Sequence, residues 1–186
     1  MQELREFSEM SLEQNKNKTE LDRLIRRHGA DKVIVNCLRV NNNKISSWIN
    51  FLSTLRSMPV IDLNNIAWID LSFNQLQSIE SSICKLKNLQ MLHLHGNQIH
   101  DIRDVTKLTE LTQLRDLTLH GNPIEERGRG KYRNFIIGTL PHLRSLDFTS
   151  LTERDKSSAI SFCSNPSLLR SVLTDEERKK KPERTK

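Results

Sequence analysis

Apolar residues recur along this chain with two periods in alternation. A short run with every second position apolar (Leu92, Leu94) is followed three residues on by Asn97 and then by Ile99. After it come apolar positions three apart, Ile102, Val105, Leu108 and Leu111. The first period predicts a strand and the second a helical turn. The unit L-x-x-L-x-L-x-x-N-x-L fits four registers: Val35-Leu38-Val40-Asn43-Ile45, Ile66-Ile69-Leu71-Asn74-Leu76, Leu89-Leu92-Leu94-Asn97-Ile99 and Leu114-Leu117-Leu119-Asn122-Ile124. A fifth, Leu143-Leu146-Phe148, keeps the strand and puts Leu151 where asparagine should stand. Intervals between successive second strand positions are 31, 23, 25 and 29 residues. Self-similarity at such a period marks a stacked array.

The pattern carries its own physics. Each x-L-x-L segment predicts a short parallel strand with its leucines inward, stacked on the strand of the next unit. Beyond the strand the backbone turns without regular pairing, which leaves buried N–H and C=O groups to be satisfied. A carboxamide donates and accepts, so Asn43, Asn74, Asn97 and Asn122 are expected to form a buried ladder. Gly96 and Gly121 precede two of its rungs, where a residue without Cβ tolerates a sharp turn. The fold class that follows is α/β: a leucine-rich-repeat solenoid with a short-stranded parallel sheet on its concave face, helices on its convex face and helical caps at both ends. Ser46 to Asn65 lengthens the first interval and, with Trp48, Ile49, Leu52 and Leu55, predicts a longer helix. At the front, Thr19-Glu20-Leu21-Asp22 forms a capping box for a helix presenting Leu21, Leu24, Ile25 and His28, closed by Gly29. At the back, Tyr132, Ile136 and Leu140 share one helical face ended by Pro141. The domains read as 1–32, an N-terminal segment with a cap helix; 33–149, the repeat domain with its C-terminal cap; and 150–186, a polar, basic tail.

Composition adds few constraints. Hydrophobic content is 35% and charged content 28%, as suits an ordered core with polar flanks. No apolar run reaches the roughly 18 residues that span a bilayer. Cys37, Cys84 and Cys163 are odd in number and far apart, which points to a reducing compartment rather than a disulfide framework. Of the net charge of +6, seven basic and four acidic residues from Arg170 to Lys186 supply +3. The basicity is therefore a tail property. Thr152-Glu153-Arg154-Asp155 and Thr174-Asp175-Glu176-Glu177 are possible helix starts, interrupted by Pro166 and Pro182. Arg178, Lys179, Lys180 and Lys181 are the tail positions that would meet an anionic partner.

The outward strand positions form three columns: Cys37, Trp68, Met91, Asp116 and Ser145; Arg39, Asp70, His93, Thr118 and Asp147; and Asn41, Ser72, His95, His120 and Thr149. Trp68 beside Met91 is an apolar spot of the kind enriched at protein interfaces. Arg39, Trp68, Asp70, Met91, His93, His95, Asp116, Thr118 and His120 are thus the candidate partner-binding residues. With its side chain outside, His95 is expected to matter far less for stability than Asn97. Three histidines near Asp116 are sterically able to form a ligand cluster, but no usual metal spacing supports one, so no metal or cofactor is expected. Gly128-Arg129-Gly130-Lys131 lacks the leading glycine and the Ser or Thr of a phosphate loop. No nucleophile, base and orienting group can be grouped, and the expectation is a protein without catalytic activity.

The C-terminal cap segment resembles those of intracellular leucine-rich-repeat proteins, the phosphatase-regulator and spliceosomal A-prime types. From Ala67 to about Asp155 the phrases AWIDLSFN (67–74), LHGN (94–97), LTLHGNP (117–123), TLP (139–141) and DF (147–148) resemble the leucine-rich-repeat-containing protein 51 family. That resemblance implies a non-catalytic scaffold of motile cilia, cytoplasmic and cytoskeletal, a monomer within an axonemal assembly of microtubule-associated proteins. Tubulin is a candidate partner for the tail, and neither a membrane nor direct nucleic-acid contact is expected. The alternatives are a regulatory subunit that grips a phosphatase or a dynein motor domain, and a ribonucleoprotein adaptor that holds an RNA-binding protein.

Overall fold

A computed structural model describes residues 10–11, 35–58, 61–127 and 129–173. Among these residues seven short strands lie in one sheet in chain order: β1 (Met10–Ser11), β2 (Cys37–Arg39), β3 (Trp68–Asp70), β4 (Met91–His93), β5 (Asp116–Thr118), β6 (Ser145–Leu146) and β7 (Thr149–Ser150). The pairs from β1 to β6 are parallel, and only β7 runs antiparallel, against β6. Leu38, Ile69, Leu92, Leu117 and Leu146 stand in register and are wholly buried. Parallel pairing continues past the strands through Leu71 N–H to His93 C=O (2.9 Å) and Leu94 N–H to Thr118 C=O (2.9 Å). Val40, Leu71, Leu94 and Leu119 form a second buried row.

The convex returns are helical, but mostly 3-10 rather than α: Ser81–Lys85, Ile102–Glu110 and Pro123–Arg127. A 3-10 turn rises about 2.0 Å per residue against 1.5 Å for an α-helix, so it carries the chain back with fewer residues. The longer first interval has room for a true α-helix, α1 (Trp48–Ser57), whose N-terminus is capped by Ser47 Oγ accepting from Asn50 N–H at 3.3 Å. Trp48, Phe51, Leu52 and Leu55 face the core while Ile49 points to solvent, and Trp48 Nε1–H donates to Ser78 C=O at 2.6 Å. On the same side Asp104 accepts from Ile79 N–H at 3.0 Å while Lys107 Nζ donates to Ile79 C=O at 2.7 Å. Asp104 and Lys107 pair with each other, so one clip satisfies both backbone groups of a buried residue.

Two expectations about the ends change. At the front the sheet gains β1 beside β2; the expected cap helix around Thr19–Asp22, Leu24, Ile25, His28 and Gly29 lies outside the described residues. At the back, α2 (Arg129–Thr139) buries Tyr132, Phe135, Ile136 and Ile137. The segment read as a polar tail from Ser150 is, as far as Leu173, two more helices, α3 (Glu153–Cys163) and α4 (Pro166–Leu173). Thr152 and Asp155 form a reciprocal capping box for α3. Pro166, expected to break the region, instead opens α4, where its missing N–H costs nothing; Asn165 Oδ1 accepts from Ser167 N–H at 3.0 Å. Ala159, Phe162 and Val172 are buried against the cap. Among the described residues no helix is long and apolar enough to cross a membrane.

Gly138 lets α3 approach α2. A Cβ there would run into Cys163 Sγ and come within 3.3 Å of Ala159 C=O. Gly138→Ala is therefore expected to destabilise by about 1–2 kcal/mol despite alanine's better helix propensity. Adding Cys163→Ala should recover about half of that loss. Urea unfolding of the two single variants and the double variant measures this, and strict additivity would mean that the sulfur is not the obstacle.

Candidate binding face

The asparagine ladder frames the concave side. Asn97 Nδ2 donates to Leu71 C=O and Leu94 C=O, both at 2.9 Å, and its Oδ1 accepts from Leu76 N–H at 3.0 Å. Asn122 does the same one repeat on, donating to Leu94 C=O (2.9 Å) and Leu119 C=O (2.8 Å) and accepting from Ile99 N–H (2.9 Å). Asn74 donates to Val40 C=O and Leu71 C=O and accepts from Ile45 N–H. Asn43, at the front, is half-buried and donates to Val40 C=O and Asn41 C=O. Each of Val40, Leu71 and Leu94 thus receives donors from two rungs, so the ladder ties neighbouring repeats together. Gly96 and Gly121 both adopt left-handed backbone, φ 67° and 68°. A Cβ on Gly96 would sit 2.6 Å from the Phe73 ring.

In the fifth repeat the pattern fails, and the outcome differs from a continued strand. β6 ends at Leu146, and Asp147 and Phe148 both take left-handed φ, 53° and 60°. The chain doubles back, so Thr149 pairs with Leu146 instead of lying beside His120. Phe148, expected to point into the core, is thrown onto the concave side and is 65% exposed. Asp147 replaces the carbonyl that a next strand would have offered to Leu119, rather than the missing ladder asparagine. Its Oδ1 accepts from Leu119 N–H at 2.7 Å and His120 N–H at 3.0 Å. Its Oδ2 accepts from Tyr132 Oη–H at 2.9 Å. Burial, reinforced by that carboxylate, pushes the Tyr132 phenol far above its ordinary value.

Strand register brings Trp68, Met91, Asp116 and Ser145 into one row and Arg39, Asp70, His93 and Thr118 into the next. Not all of them face a partner. Thr118 is 2% exposed and Asp70 9%, and Cys37 is also buried. Thr118 Oγ1 lies 2.8 Å from His95 Nδ1, and Asp70 Oδ1 accepts from Ser72 N–H (3.0 Å) and Ser72 Oγ–H (2.6 Å). The neighbouring side chains cover all three, so they support the face without presenting themselves on it. Met91 is 37% exposed, Trp68, Asp116 and Arg39 are half-buried, and the Arg39 guanidinium lies 5.3 Å from the centre of the Trp68 ring.

The histidines are packed rather than free. His95 and His120 stack at 4.7 Å with planes 7° apart, and His93 meets Trp68 edge-on at 5.9 Å. Phe73 abuts His95 at 5.1 Å, and Phe148 stands edge-on to all three imidazoles at 5.5, 5.5 and 5.6 Å. His95 is half-buried among these rings, whereas Asn97 is buried and hydrogen-bonded through both ends of its carboxamide. Burial chiefly holds His93 and His95 below the ordinary imidazole value; Asp70 partly opposes it at both rings. Among the described residues no group of three or more histidine, cysteine, aspartate or glutamate side chains is placed to share a metal ion. Phe73 and Phe148 escaped sequence reasoning because one precedes an asparagine in a turn and the other occupies an inward template position. Arg178, Lys179, Lys180 and Lys181 lie outside the described residues.

Stacked strands, an asparagine ladder and helical returns define the class of leucine-rich-repeat solenoids. A model of the leucine-rich-repeat family matches residues 24–167. Proteins named leucine-rich repeat-containing protein 51 are similar over most of the chain. That of Macaca mulatta is 41% identical over 137 residues, covering 74% of this chain and 70% of the relative, and that of Homo sapiens is 39% identical over the same shares. The chain belongs to the leucine-rich-repeat-containing protein 51 family. Among solved structures, a chain of the Drosophila melanogaster SNF/U2A' complex shares the fold, with a TM-score of 0.55 and 24% identity over 73% of this chain and 84% of that one.

Proposed function

We propose that this chain is a non-catalytic adaptor that grips a protein partner with its concave sheet and works in the ciliary axoneme among microtubule-associated proteins. The observation that carries the adaptor reading is the apolar spot of Trp68 and half-exposed Met91, linked through the His93 ring to exposed Phe148, on an otherwise polar sheet. A preformed sheet loses little ordering entropy on binding, and aromatic and methionine side chains are the usual anchors of such faces. The axonemal placement is supported by family likeness alone. The segment from Thr174, with Arg178 to Lys181, would add a salt-sensitive contact to an anionic surface such as tubulin.

Co-sedimentation with purified axonemes across a salt series tests this. Trp68→Ala combined with Met91→Ala should weaken attachment by about 30-fold or more at every salt concentration, as truncation of two anchors predicts. Deleting 174–186, a cut that spares buried Val172, should weaken it mainly as salt is raised. Release by the deletion alone, with the double variant still bound, would transfer the anchor to the tail. Failure of the unaltered protein to sediment would end the axonemal reading.

A further inference from the structure

The corner of the concave face around Phe148 has a construction that docking alone does not require. Asp147 and Phe148 both hold left-handed backbone, which residues bearing a Cβ disfavour. Such a turn persists only while its surroundings hold it. Asp147 is tied down by Leu119 N–H, His120 N–H, the Tyr132 hydroxyl and the His120 ring, whose Nδ1 lies 3.3 Å from its Oδ1. Phe148 is seated on the imidazoles of His93, His95 and His120, with most of its own surface in solvent. The floor beneath it is the near-parallel His95–His120 stack. Imidazole is the one side chain whose ordinary value makes it change charge between pH 5 and 8.

We infer that the His95–His120 stack is a proton-operated latch: with neutral rings it seats Phe148, and double protonation parts the rings, frees Phe148 and turns an apolar corner of the concave face cationic. This goes beyond the adaptor reading and does not depend on any partner. Two unit charges 4.7 Å apart repel appreciably even in water, and here each ring is also partly desolvated. The charged groups that act on the cluster come from several elements. Arg39 on β2 and His120 oppose protonation of His93, and Asp70 on β3 and Asp116 on β5 favour it; Asp70 and Asp147 favour protonation of His95, and His120 and His93 oppose it. Asp147 Oδ1 also lies 3.3 Å from His120 Nδ1, so the carboxylate that anchors the turn touches one ring of the pair. Burial outweighs the carboxylates, so His93 and His95 titrate below the value of the unfolded chain, about 6.5. In the window between the folded and unfolded values the unfolded chain binds more protons. The stability these rings contribute is therefore complete above about pH 6.5 and lost as pH falls.

The test is an NMR titration of the full chain from pH 8 to 5, following the histidine ring C–H signals and the Phe148 ring. Phe148 should lose its ring-current shift along the same curve as His95. In His120→Gln the His95 midpoint should rise by about half a unit, the repulsion of one neighbouring charge at that distance, and Phe148 should keep its shift to lower pH. His100→Gln, outside the cluster, should change neither curve. Core amide signals in the same spectra show whether each variant is folded, and His95→Gln supplies the reciprocal variant should His120→Gln unfold. A Phe148 signal that stays put while the histidines titrate overturns the latch. So does a tightening of its contact by cation–π attraction, or a transition that survives unchanged in both glutamine variants.

Discussion

Asn97→Ala is expected to cost about 2–3 kcal/mol, and the Asn97/Asn122 double alanine variant about 1 kcal/mol more than the sum of the two singles. The reason is the way the rungs share carbonyls. Loss of Asn97 leaves Leu76 N–H without its acceptor in a buried turn, and an orphaned buried donor costs about 1–3 kcal/mol. Leu71 C=O and Leu94 C=O lose one donor each but keep the carboxamides of Asn74 and Asn122. Removing Asn97 and Asn122 together strips Leu94 C=O of both, which is where the coupling arises. Asn43→Ala, at a half-buried rung, should cost about 1 kcal/mol and add simply to Asn97→Ala, because those two share no carbonyl. Urea unfolding of the five variants measures all of this. Strict additivity of Asn97 with Asn122 would show that the repeats are not joined through the ladder.

Asp147→Ala is expected to cost about 3 kcal/mol, while Asp147→Asn should cost about 1 kcal/mol. In the inner repeats the second strand N–H finds a carbonyl on the next strand, as Leu71 does on His93. Leu119 has no such neighbour because the chain has already turned back, and the Asp147 carboxylate replaces it. Alanine would orphan Leu119 N–H, His120 N–H and the buried Tyr132 hydroxyl. Asparagine keeps an acceptor and tolerates the left-handed backbone better than most residues. The same contact predicts alkaline behaviour. Tyr132 ionises far more readily in the unfolded chain, at about pH 10, than in the fold. Stability is therefore complete below about pH 10 and falls above it. Tyr132→Phe should flatten that fall in a pH series of thermal melts, and an unchanged slope would mean that the phenol is not held by Asp147.

The repeat itself was legible because every inner unit solves one local problem with the same residues. An inward leucine row, a carboxamide after each strand and a glycine at two of the four sharp turns can be read from spacing, and Leu38, Leu92, Asn97 and Gly96 stand where spacing put them; Asn42 and Phe73 take the same left-handed backbone at the other two turns. The helical character of the returns was legible too, but their 3-10 winding was not, since it depends on how far each return must reach. The pairing of Trp68 with Met91 follows from strand register and could be foreseen. The burial of Asp70 and Thr118 beneath their neighbours could not.

By itself the sequence determined the array, its period, the face that each strand residue takes and the residues that satisfy the inner turns, because these depend on contacts repeated identically from one unit to the next. Only the tertiary structure decided what happens where repetition stops. Phe148 sits at a template position that means core, yet among the described residues β6 is followed not by another parallel repeat strand but by the antiparallel β7, and the turn at Asp147 sends Phe148 outward. α3 and α4 carry too little hydrophobic pattern to announce a fold, but they find a ready surface on α2, where Gly138 leaves room. The histidines spelled the same way in two repeats become a stacked pair because parallel strands bring residues 25 apart in the chain side by side. An array specifies its interior one unit at a time, whereas its ends are settled by whatever surface the last unit leaves uncovered.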